Sequence, residues 1–319
     1  MAANVFELPF EVGIIEWLQT YLPGWLVEAL SFMSIIGETL PLIAILGFLY
    51  WSYRKEFGKR IGDTMITANV LFPLIKNVAI RKRPYMVHPD TVECLKPVEK
   101  GADLMDISAQ GYSFPSGHSL NAVVVYGSLA YHKKSKILTV LAVVLPILVG
   151  VSRFTIGVHY PSDVLAGWLL GTLLIFLVPW LIRKLKREWV YLLIVAVAGA
   201  AGFFYCRTSD FYTSYGLLIG YFLGVLYEEH FVKFSDTTRI LSKILRLVGG
   251  IGIYLGFNEL LKLPFPKDFL NSATTGAFIV RTARYAIVSF LMIGVYPLLF
   301  DRIPFLHDKK QEDESASMA

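Results

Sequence analysis

Long apolar runs recur from residue 30 almost to the end of the chain, and they constrain the fold more than any other feature. Of the 319 residues, 55% are hydrophobic and only 17% are charged. Soluble globular chains carry about 25% charged residues. A large soluble protein with buried helices is excluded, because too few polar residues would remain to cover its surface. The sequence therefore predicts an all-α, polytopic membrane protein.

The apolar runs are long enough to be counted as spans, because a membrane-crossing helix needs about 20 apolar residues. We predict a helical bundle of about nine transmembrane helices. They are residues 30–53, 61–80, 116–131, 137–154, 163–182, 190–206, 211–227, 240–261 and 277–300. Before them, residues 10–30 mix Trp, Tyr, Glu and Pro with apolar residues, which is typical of a helix lying along the membrane interface. A tenth span is the alternative for that segment.

Basic residues in short loops indicate the orientation of the bundle, since Lys and Arg accumulate on the cytoplasmic side. The segments "YRKEFGKR", "HKKSK" and "RKLKR" alternate with the spans so that all three fall on one side. This places the N-terminus outside and the C-terminus in the cytoplasm. The net charge of +5 is explained by these flanking residues, so no nucleic-acid partner is expected. The loop 81–115 is basic yet falls outside, which suggests that its charges serve chemistry.

Three polar blocks interrupt the apolar pattern, and each lies at the predicted outer end of a span. Their sequences are "KNVAIRKRPY", "PSGH" and "SRFTIGVHYPSD". Because the three helix ends share one side, the blocks can converge on one site. The candidate site residues are Lys76, Arg83, Ser116, Gly117, His118, Arg153, His159 and Asp163.

The cations of these blocks indicate an anionic ligand. Lys76, Arg83 and Arg153 would face a common pocket. Arginine offers a rigid fork of donors that matches phosphate oxygens, and lysine adds a point charge. We therefore expect a phosphate group to bind there.

The block "PSGH" predicts a helix start beside those cations. Pro115 suits the first helical position. Ser116 and Gly117 would then present free backbone N–H groups at the positive end of the helix, which favours anions. Glycine also lets a ligand approach the backbone closely.

Two histidines beside a phosphate site suggest covalent phosphoryl transfer. One imidazole would attack phosphorus while the other protonates the leaving oxygen. Asp163 follows His159 by four residues, and a carboxylate there can hold the proton of one ring nitrogen and leave the other free to attack. His118, at the helix start, suits the general acid and later the base that activates water.

The three blocks resemble the signature of the type 2 phosphatidic acid phosphatase superfamily, K-x6-R-P, P-S-G-H and S-R-x5-H-x3-D, without substitution. The resemblance covers about residues 30–182 and implies metal-independent hydrolysis of a phosphomonoester or pyrophosphate, with no cofactor. It implies that His159 is the nucleophile, oriented by Asp163, and that His118 is the acid and base. The phosphate-binding residues that it implies are Lys76, Arg83, Ser116, Gly117 and Arg153.

The domain organisation follows from this resemblance and from the basic segment at 183–187. We expect a phosphatase core at residues 1–182, additional transmembrane helices at 183–307 and a disordered cytoplasmic tail at 308–319. Many members of the superfamily have six spans, with the first block after the third. Here only two spans precede Lys76, which leaves the substrate open.

Three functions are compatible with these residues. The first is hydrolysis, at the extracytoplasmic face of the cell membrane, of a lipid phosphate or polyprenyl (di)phosphate. The second is the same chemistry on a soluble sugar phosphate, as in the similar glucose-6-phosphatase branch. The third is a lipid-phosphate binder or transporter without catalysis, which the presence of His118, His159 and Asp163 disfavours because binding alone needs no nucleophile.

The remaining candidates are single residues. Cys94 and Cys206 are the only cysteines, so no metal cluster is expected, and both fall on the outer side, where they could form a disulfide in an oxidising compartment. Glu38 lies in the outer part of the first predicted span. A carboxylate at membrane depth suggests either a function or a hydrogen bond to the helices of the motifs.

Overall fold

The computed structural model describes residue 6 and residues 8–306, except for the side chain of Thr39, and the described part is helical without strands. The predicted tail at 308–319 lies outside the described residues. The helices are α1 (Pro9–Tyr21), α2 (Gly24–Met33), α3 (Thr39–Gly47), α4 (Lys55–Ala79), α5 (Pro84–Val87), α6 (Ile107–Gln110), α7 (Gly117–Ala122), α8 (Ser128–Lys133), α9 (Lys136–Thr155), α10 (Pro161–Leu185), α11 (Glu188–Ala200), α12 (Ser209–Tyr227), α13 (Ile240–Leu260), α14 (Lys267–Leu270) and α15 (Thr275–Phe290).

Four helices of the described part are long and apolar enough to cross a membrane: Lys136–Thr155, Pro161–Leu185, Ile240–Leu260 and Thr275–Leu299. A fifth is added if Gly24–Gly37 and Leu40–Tyr53 are taken as one bent span. The other predicted spans are largely helical but shorter or more polar. The all-helical membrane fold is thus confirmed, whereas the number nine stays a prediction.

Helix α4 is long but polar, and its charged residues are paired inside the bundle. Lys59 Nζ lies 3.0 Å from Glu188 Oε2 at the start of α11. Asp63 accepts a hydrogen bond of 2.9 Å from the Tyr221 hydroxyl of α12. Both α4 side chains are buried. Since a buried charge is tolerated only with such partners, α4 occupies a central position among the other helices.

Two predicted N-terminal helices, the interfacial helix at 10–30 and the span at 30–53, are each interrupted in the structure. Helix α1 ends at Tyr21, and α2 begins at Gly24 and continues through a 3-10 turn to Gly37. Glu38 is extended, and the two halves are bent by 44° around it. Pro41 explains the break, because proline lacks an N–H and is tolerated in a first helical turn but not in a helix interior.

The C-terminal helices pack through glycines. A β-carbon on Gly216 would lie 2.4 Å from the Thr282 carbonyl oxygen, and one on Gly220 would lie 2.1 Å from that of Ala286. Their spacing of four residues puts them on one face of α12, so α15 approaches that face closely. Trp51, from the first half of the chain, contacts the segment just after α15, where its indole N–H donates to the Met292 carbonyl at 3.2 Å.

Candidate active site

The predicted site residues gather where four helix ends meet. Helices α4 and α9 end at this side of the bundle, and α7 and α10 begin there, because consecutive helices run in alternating directions. All of these residues are buried except His118, which is half-buried. The buried set is Lys76, Arg83, Ser116, Gly117, Arg153, His159 and Asp163.

His159 lies between a carboxylate and a guanidinium, in the connection between α9 and α10. Its Nδ1 is 3.5 Å from Asp163 Oδ2, and its Nε2 is 3.4 Å from Arg83 Nη1. Burial, together with the charges of Arg83, Lys76 and Arg153, lowers the pKa of His159 well below its usual value. The ring is therefore neutral near pH 7, the state in which a nitrogen lone pair can attack.

Asp163 is fixed by the start of α10 and by a second arginine. Its Oδ2 accepts the Tyr160 backbone N–H at 2.8 Å and the Ser113 hydroxyl. Its Oδ1 lies 2.7 Å from Arg81 Nη1. Pro161 occupies the first turn of α10, where its missing N–H costs nothing. The carboxylate is thus held in a fixed position beside His159.

Arg81 also binds a carboxylate from the N-terminal helix. Its Nη2 lies 2.7 Å from Glu11 Oε2, and Glu11 Oε1 accepts the Ser162 backbone N–H at 2.6 Å. The guanidinium lies over the Tyr160 ring, 3.8 Å from its centroid. Arg81, Glu11 and Asp163 are all buried and hydrogen-bonded. The sequence-based prediction missed Arg81 and Glu11, although Arg81 stands only two residues before Arg83 in the basic loop 81–115.

Arg83 is anchored by backbone carbonyls rather than by a carboxylate. Its Nε and Nη2 donate to Gln110 O at 3.1 and 2.6 Å, and its Nε also donates to Gly111 O at 3.0 Å. Its Nη1 donates to Val158 O at 2.8 Å. These bonds use one N–H on each of the three nitrogens and set the plane of the guanidinium beside His159.

The two remaining cations have different partners. Lys76 Nζ lies 3.6 Å from Oδ2 of Asp210, a residue that the sequence-based prediction did not single out. Arg153 Nη1 donates to the Ser34 hydroxyl at 2.5 Å. Among the described residues, the buried Arg153 Nε finds no hydrogen-bond partner. A donor left open in this way suits an oxyanion.

His118 is the second residue of α7, and no side-chain hydrogen bond from it is described. The positive charges of Arg153, Lys76 and Arg83 act on the imidazole ring of His118, as they act on that of His159. The three cations and two histidines that the sequence singled out are therefore brought together in one place.

The start of α7 differs from its prediction. Gly117, not Pro115, is the first helical residue, and the hydroxyl of Ser116 caps the helix by accepting the Ser119 N–H at 3.4 Å. The Ser116 N–H is not free, because it donates to the Asp163 carbonyl at 2.9 Å. A β-carbon on Gly117 would lie 3.1 Å from the Phe72 ring, so close packing against α4 explains this glycine.

The single-residue candidates also have clear outcomes. Cys94 and Cys206 are free thiols, so the disulfide considered from the sequence is absent from the structure. Glu38 forms an ion pair of 2.5 Å with Lys96 of the loop 81–115 rather than a bond to the motif helices. Within residues 8–306, no three His, Cys, Asp or Glu side chains converge as a metal site would require.

Comparisons with known proteins give matches to two family models and to several relatives. The chain matches the PAP2 superfamily over residues 59–187 and the PAP2 superfamily phosphatase transmembrane extension over residues 212–309. It is 35% identical over 176 residues to phosphatidylglycerophosphatase B of Bacillus subtilis, covering 51% of this chain and 78% of that protein. It is 33% identical over 151 residues to undecaprenyl-diphosphatase of Sulfolobus acidocaldarius, covering 46% of this chain and 66% of that protein.

A solved structure is also similar. The crystal structure of a transmembrane PAP2 type phosphatidylglycerolphosphate phosphatase from Bacillus subtilis shares 30% sequence identity with the chain, with a TM-score of 0.44. The match covers 56% of this chain and 88% of that one.

The fold and the pocket define a class: a multi-pass helical membrane protein whose helix ends enclose cations and two histidines. Within that class, the chain belongs to the PAP2 superfamily, and its similarity to phosphatidylglycerophosphatase B extends over most of that relative. The predicted family is thus confirmed.

Proposed function

We propose that this chain is an integral membrane phosphatase that hydrolyses a lipid phosphate or polyprenyl (di)phosphate through a phosphohistidine intermediate. The observation that carries the proposal is the position of His159, with Asp163 facing one ring nitrogen at 3.5 Å and Arg83 beside the other at 3.4 Å. The names of the two relatives, a lipid phosphatase and a polyprenyl diphosphatase, support the same substrate class.

In the first step, Nε2 of His159 attacks phosphorus while the bond to the leaving oxygen breaks. Asp163 accepts a hydrogen bond from the Nδ1–H of His159, which keeps the proton on that nitrogen and the lone pair on Nε2. His118, which is protonated once the bound phosphate has offset the charges of the neighbouring cations, gives its proton to the leaving oxygen, which departs as an alcohol or a lower phosphate. In the second step, His118 takes a proton from water. The resulting hydroxide attacks phosphorus, the P–N bond breaks, and phosphate leaves.

Phosphate binding falls to the cations and to the start of α7. Lys76, Arg83 and Arg153 neutralise the charge that spreads over the equatorial oxygens in the transition state, which is usually the largest catalytic contribution. The N–H of Gly117 lies in the first turn of α7, where helical N–H groups have no intrahelical partner. We propose that no metal ion is needed, because these fixed cations take the electrostatic role.

The site faces the extracytoplasmic side in this proposal. Basic residues at the start of α4 and at the end of α8 meet at the opposite end of the bundle, where Arg54, Arg60 and Lys133 border one depression. Lys55 and Lys76 are 21 positions apart on α4, which corresponds to about 31 Å along the helix axis. Because basic residues favour the cytoplasm, the site would lie on the other side, with the C-terminus in the cytoplasm.

All nine predicted helices would cross the membrane in this arrangement, with polar α4 shielded by its neighbours. A lipid then reaches the pocket laterally, since its phosphate lies near the depth of these helix ends. Reporter fusions after residues 60, 134, 186 and 239 test the orientation, and we expect all four on the cytoplasmic side.

The function is tested by phosphate release from purified protein with lipid, polyprenyl and sugar phosphates, with His159→Ala as the blank. We expect turnover of the amphiphilic substrates only, and none by the blank. Turnover of sugar phosphates alone would favour the glucose-6-phosphatase-like alternative. Binding without turnover of any substrate would favour the binder or transporter.

A further inference from the structure

Asp210 brings a carboxylate from the C-terminal helices to the cationic pocket. Its Oδ2 lies 3.6 Å from Lys76 Nζ and 3.3 Å from the position that a β-carbon on Gly111 would take. Arg83 Nη2 lies 3.8 Å from that same position. The carboxylate therefore stands between Lys76 and the turn that holds Arg83. Its side chain is 25% exposed, so it borders the opening of the pocket rather than its floor.

The position of Asp210 is fixed by its own helix and by its neighbours. It is the second residue of α12, and its Oδ1 accepts the Phe211 backbone N–H at 2.9 Å. Phe211 is fully buried, and the Tyr212 ring stacks on Phe278 with 4.2 Å between centroids. Gly111 has a φ of +70°, a conformation that favours glycine, so no side chain separates the carboxylate from the turn.

From this placement we infer that Asp210 is a specificity-determining residue, which makes the pocket prefer a single phosphoryl group to a diphosphate. The inference rests on the proposed function and narrows its substrate class to lipid phosphomonoesters.

The charges around the pocket give the physical reason. Arg81 is engaged by Glu11 and Asp163, so Lys76, Arg83 and Arg153 are left to face the ligand. Asp210 offsets one of these three positive charges. A phosphomonoester group carries about −1.5 to −2 charge at pH 7 and balances the remainder. A diphosphate brings further negative charge. That charge would lie unpaired near the Asp210 carboxylate in a poorly solvated site, which makes the free energy of binding less favourable.

The test compares two substrates that differ only in the number of phosphoryl groups, farnesyl phosphate and farnesyl diphosphate. We expect the wild type to have the higher kcat/KM for the monophosphate. Asp210→Asn keeps the size and the acceptor for the Phe211 N–H but removes the charge. It should shift the ratio of the two kcat/KM values about tenfold toward the diphosphate, because like charges in contact strongly disfavour binding.

Three further variants complete the experiment. Asp210→Ser also removes the charge and should shift the ratio in the same direction, whereas Asp210→Glu should retain the wild-type preference. Glu259→Gln removes a carboxylate from an exposed position of the same C-terminal helices, 2.5 Å from Lys262, and should change nothing. A fall in both kcat/KM values with an unchanged ratio would overturn the inference and leave Asp210 a structural residue. Absence of phosphate release by the wild type would instead overturn the proposed function.

Discussion

Arg81 Nη1 lies 2.7 Å from Oδ1 of Asp163, and both side chains are fully buried. The carboxylate that faces His159 is therefore positioned by an arginine at an unspecified position of the first block, K-x6-R-P. Glu11 of α1 contacts the same guanidinium at 2.7 Å. The N-terminal helix thus takes part in orienting the nucleophile, although it lies some 150 residues away in sequence.

This relationship predicts that Glu11→Gln lowers kcat while changing KM little. The amide keeps the size and one acceptor, but Arg81 would lose a charged partner and hold Asp163 less firmly. Arg81→Ala should be far more damaging, because two buried carboxylates would lose their partner, at a cost of about 3–5 kcal/mol in stability. Steady-state kinetics and thermal unfolding in detergent measure the two effects.

Glu16→Gln is the matched control, since Glu16 lies on the same helix and, among the residues that the structure describes, no hydrogen bond or ion pair joins it to the site. We expect wild-type values from it. Equal losses in Glu16→Gln and Glu11→Gln would mean that α1 acts only through general stability.

The depressed pKa of His159 predicts a dependence of stability on pH. In the unfolded chain this histidine takes up a proton near its usual pKa of about 6.5, while in the folded protein it stays neutral to lower pH. Lowering the pH from about 7 to about 5 therefore favours the unfolded state. His159→Gln lacks this group, so its Tm should fall less than that of the wild type over the same range. Parallel Tm curves would show that His159 is not held neutral.

Arg83→Lys should lower kcat/KM about a hundredfold, because one ammonium cannot reproduce a fork bonded to three carbonyls. Hydrogen bonds from charged groups contribute about 1.5–3 kcal/mol each. Lys82→Arg, at the adjacent position, is the control for a change of basic residue in this loop and should retain activity. Near-normal turnover by Arg83→Lys would mean that charge alone suffices at this position.

Metal independence is tested by chelation. We expect turnover to survive EDTA, because the transition-state charge is met by Lys76, Arg83 and Arg153. Vanadate should inhibit, since it mimics five-coordinate phosphorus, and transition-state analogues bind more tightly than substrates. Loss of activity in EDTA, with recovery on adding a divalent cation, would contradict this part of the mechanism.

The convergence of the three polar blocks was predictable because each stands at a helix end and the helices alternate in direction. Arg81 was not singled out, since a third cation in "RKRP" has no spacing that distinguishes it from a solvated residue. Glu11 carries a weak signal: it is a carboxylate beside Val12 and Ile15 on the buried side of α1. The sequence around Asp210 carries no signal of this kind, because the role of Asp210 depends on how α12 packs against the core.

The fold, like the site, could be predicted from the sequence only in part. Apolar runs located the helices, but hydropathy cannot show that Lys59 and Asp63 in α4 are paired with residues of α11 and α12. The bend at Glu38 had a local signal in Pro41, three residues later. The prediction of a free Ser116 N–H was wrong. This N–H donates to the Asp163 carbonyl at 2.9 Å, a contact that forms only in the folded chain.

The central claim, that His159 carries the phosphoryl group, is tested most directly by trapping the intermediate. His118→Ala removes both the acid of the first step and the base of the second, so the substrate for this test is p-nitrophenyl phosphate, whose leaving group departs without a proton. Water would still lack its base, so the enzyme should accumulate covalent phosphate after rapid mixing and acid-free quenching. Tandem mass spectrometry should place one added phosphoryl group on His159, and none in the His118→Ala/His159→Ala double variant. Phosphate located on any other residue, or turnover retained by His159→Ala, would contradict the account.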